Sequence, residues 1–415
     1  MEEISQQLIH SLIQSRHGAA QAALIRRLGA IDPAEDAMQD AVVKALEYWP
    51  EHGVPDNIVA WLVTTGMNSF RDAYRRDVRA GELLRENFVE QESLELDATA
   101  LDDDVLSLIF MCCHPAIAVE NQLALTLKTV MGFSVQEIAH GFLLQEATLE
   151  QRLTRSKRKI ARAGINFEQP REKHLNERLS PVQHVLYLIF NEGYYGSSGE
   201  LLNQALCRQA IALCRSLCRG FPETENFGLL ALMLFQDSRA PARLDAAGDL
   251  VTLDKQDRSV WRQSQIQEAD VLLQKALRKK QSGFYQLQAA IAGLHSLSKS
   301  SEDTDWLQIV GLYRLLQRLQ ANPVIALNYG VAMFFAGMHS EARKLIIELE
   351  AELSHYSPYW AARAKLAATI DDNAEAAVAL RNAMALSGSA AEMKHYQVQL
   401  QRHEENAAEN SLPVH

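Results

Sequence analysis

The chain has 415 residues, 47% hydrophobic and 22% charged, and a formal net charge of −11. That length holds two or three domains with proper cores, and the acidic balance excludes non-specific nucleic-acid binding by the whole molecule while leaving room for a local basic patch. No apolar run approaches the roughly 20 residues that span a bilayer, and the acidic, polar start MEEISQQLIH does not read as a signal peptide.

Helical periodicity runs nearly end to end and strand-like alternation is scarce, so the expected fold class is all-α. Residues 1–80 form a first helical block. Within it, IDPAEDAMQDAVVKALEYWP (31–50) is strongly amphipathic. Ala37, Met38, Ala41, Val42, Ala45 and Leu46 make its apolar side; Glu35, Asp36, Gln39, Asp40 and Glu47 make an acidic one. Such a stripe is either a solvated face or a docking surface for a basic helix. VAWLVTTGMNSFRDAYRRD (59–77) follows, interleaving Trp61, Leu62, Phe70 and Tyr74 with Asn68, Arg71, Arg75 and Arg76. Aromatics beside cations suit melted nucleic acid, where bases leave the stack and phosphates stay close. Core aromatics beside a wet basic face would give the same pattern.

Residues 81–101 are acidic, lack strong caps and are expected to be a linker or a loosely held helix. Residues 102–165 form a second block. In it, Ser134 and Glu137 have the spacing of a capping box, which predicts a short helix over Val135–His140 ended by Gly141. A longer helix then starts at Glu146-Ala147-Thr148, with Leu149, Leu153 and Ile160 facing inward. Thr148, Gln151, Arg152, Arg155 and Ser156 lie toward its N-terminal half, and Lys157, Arg158, Lys159 and Arg162 follow. Short helix, Gly-containing turn and longer helix form the helix-turn-helix pattern, whose second helix enters the major groove. A basic helix alone fits a solvated face; the capped helix and turn before it favour DNA. In this pattern the first group would reach base edges and the second would meet phosphates.

Residues 166–181 are expected to be a polar connection, 182–405 an array of amphipathic helices, and 406–415 a disordered tail. Cys207, Cys214 and Cys218 fall at i, i+7 and i+11, one helix face, and are expected to be buried free thiols that suit a reducing cytoplasm. Asn322-Pro323 is followed by Ser357-Pro358 after 35 residues, and Glu341-Ala342 by Glu375-Ala376 after 34. A period near 34 is that of tetratricopeptide repeats; generic antiparallel helix pairs are the other reading. Small residues such as Ala326, Gly330 and Ala361 would let paired helices approach closely. Met111-Cys112-Cys113-His114 lacks a second ligand pair and reads as core rather than metal site. Asp254, Gln256, Asp257 and Arg258, with Asp237, Arg239 and Arg243, read first as a satisfied polar network, and second as a ligand or peptide pocket. No cofactor site and no catalytic arrangement stands out.

Taken together and in order, these residues resemble the extracytoplasmic-function sigma factors of bacterial RNA polymerase. The first block is similar to sigma region 2, with Asp32, Glu35, Asp36, Gln39 and Asp40 in one motif and Trp61, Leu62, Thr64, Asn68, Asp72, Arg75 and Arg76 in the next. The second block resembles region 4. LYLIFNEGYYGSSG (186–199), DKQDRSVW (254–261) and neighbouring segments resemble the subgroup with a tetratricopeptide-like C-terminal extension. Gly66 departs from the pattern: it sits mid-helix, at a cost of about 1 kcal/mol relative to Ala. The resemblance implies a non-enzymatic promoter-specificity subunit in the cytoplasm. Glu35, Asp36, Gln39 and Asp40 would dock on the clamp helices of the polymerase's largest subunit. Trp61, Asn68, Arg71, Asp72, Arg75 and Arg76 would engage the −10 element as it melts. Thr148, Gln151, Arg152, Arg155 and Ser156 would read the −35 element, with Lys157, Arg158 and Lys159 on its backbone. The extension would be regulatory, with a small regulatory protein as a possible partner. A repeat-scaffold adaptor and a conventional helix-turn-helix regulator are the competing readings.

Overall fold

A computed structural model describes residues 6–79, 98–142, 144–165, 167, 175–195, 204–388 and 390–410. Among the described residues the chain is all-α; its only extended pairing there is an isolated bridge between Leu244 and Leu250. Two compact units divide it, residues 1–189 and 190–415.

The first unit opens with α1 (Gln6–Leu28), α2 (Ile31–His52) and α3 (Ile58–Arg79). Asn57 caps α3 by accepting the Ala60 N–H at 2.9 Å. The three helices pack on one another around Ile9, Leu24, Trp49 and Leu62, all fully buried. Gly66 explains itself here. A Cβ at that position would lie 2.8 Å from the Ala37 carbonyl oxygen, so the missing side chain lets α3 close onto α2. Lys44 adds a tie across the same pair, donating to Ser69 Oγ at 2.8 Å.

Four more helices follow: α4 (Ala98–Cys112), α5 (Val119–Thr129), α6 (Val135–Gly141) and α7 (Glu146–Arg162). α8 (Leu175–Tyr195) carries the chain past the unit boundary. The expected linker shortens, because 98–101 already belong to α4; residues 81–97 lie outside the described residues. The expected connection shortens likewise, because α8 starts at Leu175, with Pro181 accommodated inside it. The Met111–His114 segment is used for packing. Cys112 and Cys113 are buried, Cys113 Sγ lies 3.6 Å from Thr126 Oγ1, and His114 Nδ1 accepts the Ala116 N–H at 3.1 Å.

The second unit contains α9 (Gln204–Gly220), α10 (Thr224–Ser238), α11 (Gln263–Leu277), α12 (Phe284–Leu297) and α13 (Trp306–Leu319). After them come α14 (Pro323–Phe335), α15 (His339–Glu348), the single turn α16 (Glu350–Leu353), α17 (Ser357–Ala368), α18 (Asn373–Leu386) and α19 (Ala390–Asn410). α10 is buried nearly all round, which fits its central place against α9, α11 and α12. α17 begins 34 residues after α14, and α18 begins 34 after α15. At Gly330 a Cβ would meet Ile346 Cγ1 at 2.7 Å, so the α14–α15 pair does depend on a small residue there. α19 continues through Asn410, so residues 406–410 extend a helix instead of starting a tail; 411–415 lie outside the described residues.

Several of the polar residues at the α10–α11 connection are paired, while Arg239 Nε and Gln256 Oε1 are buried without a hydrogen-bond partner among the described residues. Asp237 accepts from Arg262 at 2.7 Å and Gln265 at 2.9 Å. Arg243 donates to the Tyr194 carbonyl at 2.6 Å and lies over its ring. Arg258 closes the C-terminal end of α12, donating to His295 O at 2.6 Å and Ser298 O at 2.7 Å. A cavity of about 240 Å³ lies beside it, lined by Arg258, His295, Trp306, Tyr313 and Phe335 among others.

Gly66→Ala raises helix propensity yet pushes a methyl into the Ala37 carbonyl. We expect a net loss of about 1–3 kcal/mol, read as a lower midpoint in urea denaturation; a stabilised variant would show that α3 has room to withdraw.

Candidate functional site

The acidic side of α2 is graded. Asp36, Gln39 and Asp40 are exposed, whereas Glu35 is half-buried. On α3, Asn68, Arg71, Asp72, Arg75 and Arg76 form an exposed stripe at helical spacing. Trp61 is half-buried beside it, edge-on to Trp49 at 5.2 Å and facing Tyr48 at 6.3 Å. Phe70 and Tyr74 stack at 6.5 Å on the same helix.

The pair α6 and α7 is built from local signals. Ser134 and Glu137 make a reciprocal cap: the Ser134 N–H donates to Glu137 Oε2 at 2.7 Å and the Glu137 N–H donates to Ser134 Oγ at 3.1 Å. α6 then runs one residue beyond His140, and α7 starts at Glu146. Leu149, Leu153 and Ile160 are buried and seat α7 against α5 and α6. Outward go Thr148, Gln151, Arg155, Arg158, Lys159 and Arg162, all exposed, with Arg152 half-buried.

Two residues of the proposed DNA face lie elsewhere. Ser156 is buried with the apolar residues, and its Oγ donates to the Arg152 carbonyl at 2.9 Å. As arranged here it cannot read a base edge. Lys157 turns toward α2. Its Nζ lies 2.6 Å from Glu35 Oε2 and 2.9 Å from Asp32 Oδ1. The Lys157 and Glu35 side chains are 17% and 13% exposed, against 74% for Asp32. Burial alone would lower the Lys157 pKa; the carboxylate charges and hydrogen bonds, Glu35 foremost, outweigh it and raise it. Thr129 Oγ1, at the end of α5, also donates to Glu35, at 3.3 Å.

Further contacts join the same two groups of helices, and sequence reasoning missed all of them. Gly18 on α1 takes the Val130 carbonyl so closely that a Cβ would sit 2.7 Å from its oxygen. Gly132, at φ 74°, packs on the His17 ring. Arg26 forms an ion pair with the buried Asp104 of α4. Burial first, then the positive charge of Lys128, drives the His17 pKa down to about 4. Nothing local announces these partners; Lys157 and Glu35 are 122 positions apart.

Comparison with known proteins places this geometry. Residues 12–80, from α1 through α3, match the family described as Sigma-70 region 2. Residues 178–277 match a family of unknown function, DUF6596. An uncharacterized protein of Rhizobium meliloti, R00370, is 42% identical over 390 residues, covering 92% of each chain. The chain belongs to the same family as that protein, with sigma-70 region 2 at its N-terminus. No solved structure matches it. Region 2 thus supplies the acidic α2 and the cationic α3, and ties the chain to transcription initiation of the sigma-70 kind. α7 falls between the two matched stretches. Among the described residues no helix is long and apolar enough to cross a membrane.

The His17 contact makes stability depend on pH. An unfolded chain protonates His17 near 6.5, whereas the folded one resists down to about 4. Stability is therefore indifferent to His17 above 6.5 and falls as pH drops through that window. Thermal melts from pH 7 to 4.5 should show a shallower decline for His17→Gln than for the wild type; parallel curves would remove His17 from the account.

Proposed function

We propose that this chain is a sigma factor of the extracytoplasmic-function type that brings core RNA polymerase to specific promoters. The region 2 match carries the reading, because its helices hold the exposed Asp36, Gln39 and Asp40 on one side and the exposed Asn68–Arg76 stripe on another. The first set docks on the clamp helices of the polymerase's largest subunit. The second, with the half-buried Trp61, holds the −10 element as its strands part, aromatic and cationic groups acting on bases and phosphates. Neither step makes or breaks a covalent bond; binding energy positions the polymerase and traps melted DNA.

α6 and α7 serve as a region 4-like helix-turn-helix. Thr148, Gln151, Arg152 and Arg155 read the −35 element in the major groove, and Arg158 and Lys159 hold its phosphates. The outward face of α7 and the capped α6 support this. The second unit is a tetratricopeptide-like regulatory extension, a reading supported by the 34-residue recurrence of helix starts in its C-terminal part. Its cavity and exposed helix faces offer sites for a small regulatory protein.

Run-off transcription with purified core polymerase, on the promoters flanking the chain's own gene, tests the assignment. Promoter-dependent transcripts are expected, and their absence with folded protein would refute it. Arg155→Ala should weaken binding to a −35 duplex by about 1–3 kcal/mol and leave core-polymerase binding in a pull-down unchanged. Equal loss of both would overturn the division of roles between α7 and α2.

A further inference from the structure

A guanidinium taken out of water needs carbonyls or a counter-ion in its place. Arg243 and Arg262 of the second unit have them. Arg239, at the C-terminal end of α10, does not. It is 9% exposed and its Nε is buried without a partner. Its side chain makes no hydrogen bond and no ion pair among the described residues.

This charge acts on the cavity of about 240 Å³ that lies against α12, α13 and α14. His295 lines the cavity, and burial first, then the charges of Arg239 and Arg258, lower its pKa to about 3. The ring is therefore neutral at ordinary pH. Arg258 lines the cavity as well. Its Nη1 is taken by the His295 and Ser298 carbonyls, while its Nε and Nη2 donate to none of the described residues. Those two groups form one edge of the guanidinium, the edge that matches a planar carboxylate. The acids of this region, Asp254, Glu302 and Asp303, are exposed, so water screens them, whereas Arg239 is withdrawn. The opposite wall is aromatic. Trp306 and Phe335 stack at 4.4 Å, and the His295 ring stands edge-on to Trp306 at 5.1 Å.

We propose that this cavity binds a small aromatic carboxylate, with the carboxylate at Arg258 and His295 and the ring beside Trp306, Tyr313 and Phe335. The ligand's charge is the counter-ion that Arg239 lacks within the chain, and Arg239 acts on it through charge rather than contact. Size limits the ligand. A cavity of about 150 Å³ takes benzene, so 240 Å³ holds a ring with its carboxylate attached. Such a ligand ties the Arg258 turn to α13 and α14. The second unit then senses a small acid, a function separate from promoter recognition and independent of it.

The test is calorimetric titration of the full chain with benzoate, phenylacetate and cinnamate, each beside its neutral amide. At least one acid should saturate a single site. Its amide should bind about tenfold more weakly or worse, because hydrogen bonds to a charged group exceed neutral ones by that order. Val331→Phe, on the cavity wall, fills the space and should abolish binding. Arg239→Met keeps the aliphatic stem and removes the charge. It should weaken the acid about tenfold and leave the amide unchanged. Without ligand it should melt no lower than the wild type, since a buried cation without a counter-ion is lost. A purely structural Arg239 would do the reverse, lowering the melting temperature and sparing affinity. Circular dichroism checks that each variant is folded. The proposal is overturned if the wild type binds none of the three acids, or binds acid and amide alike. Binding that survives Val331→Phe, or wild-type affinity in Arg239→Met, overturns it equally.

Discussion

A cation with 17% of its side chain exposed sets the terms for the first unit. Lys157 can be there only because Glu35 and Asp32 are, and that fixes how α7 is turned about its own axis. With Lys157 inward, beside Leu149, Leu153 and Ile160, the opposite side must carry Arg155, Arg158, Lys159 and Arg162. The same contact draws on the end of α2 whose neighbour Asp36 remains in water. One electrostatic pairing therefore governs both surfaces on which the sigma-factor reading depends. Replacing Lys157 by an apolar residue would leave Glu35 poorly solvated with Thr129 as its remaining side-chain donor, so the cost would fall on both helices.

Much of this architecture was legible in the sequence where its causes are local. The Ser134–Glu137 cap depends on residues three apart, and the helix it starts lies where expected. The buried set Leu149, Leu153 and Ile160 follows from helical spacing, as does the burial of Cys207, Cys214 and Cys218. Ser156 was legible too: it stands three residues after Leu153 and seven after Leu149, so its position marks the packed face although its chemistry suggests a reader of bases. Gly66 was noticed for the wrong reason. As a helix residue it is a defect, and only the approach of α2 makes it a requirement. The inward turn of Lys157, four residues after Leu153 and three before Ile160, follows from the same spacing; the carboxylates that receive it, 125 and 122 positions away, do not. The start of α8 and the end of α19 carry few apolar residues, so helical spacing does not mark them, although both segments are helical.

The second unit handles charge differently. The buried Arg243 is spent on the Tyr194 carbonyl and ring, and the half-buried Arg258 on the end of α12. These are closures of helix ends and loops. The cavity beside Arg258 lies between that loop and α12, α13 and α14.

The recurrence of helix starts at 34 residues has an energetic consequence. In the stretch from α14 to α19 the principal packing is between neighbouring helices, α14 with α15, α15 with α17, α17 with α18 and α18 with α19. Such a stack has no single centre whose loss dissolves it. Pairs of helices in it can open one at a time, so backbone amides should exchange in steps along the stretch and not all together.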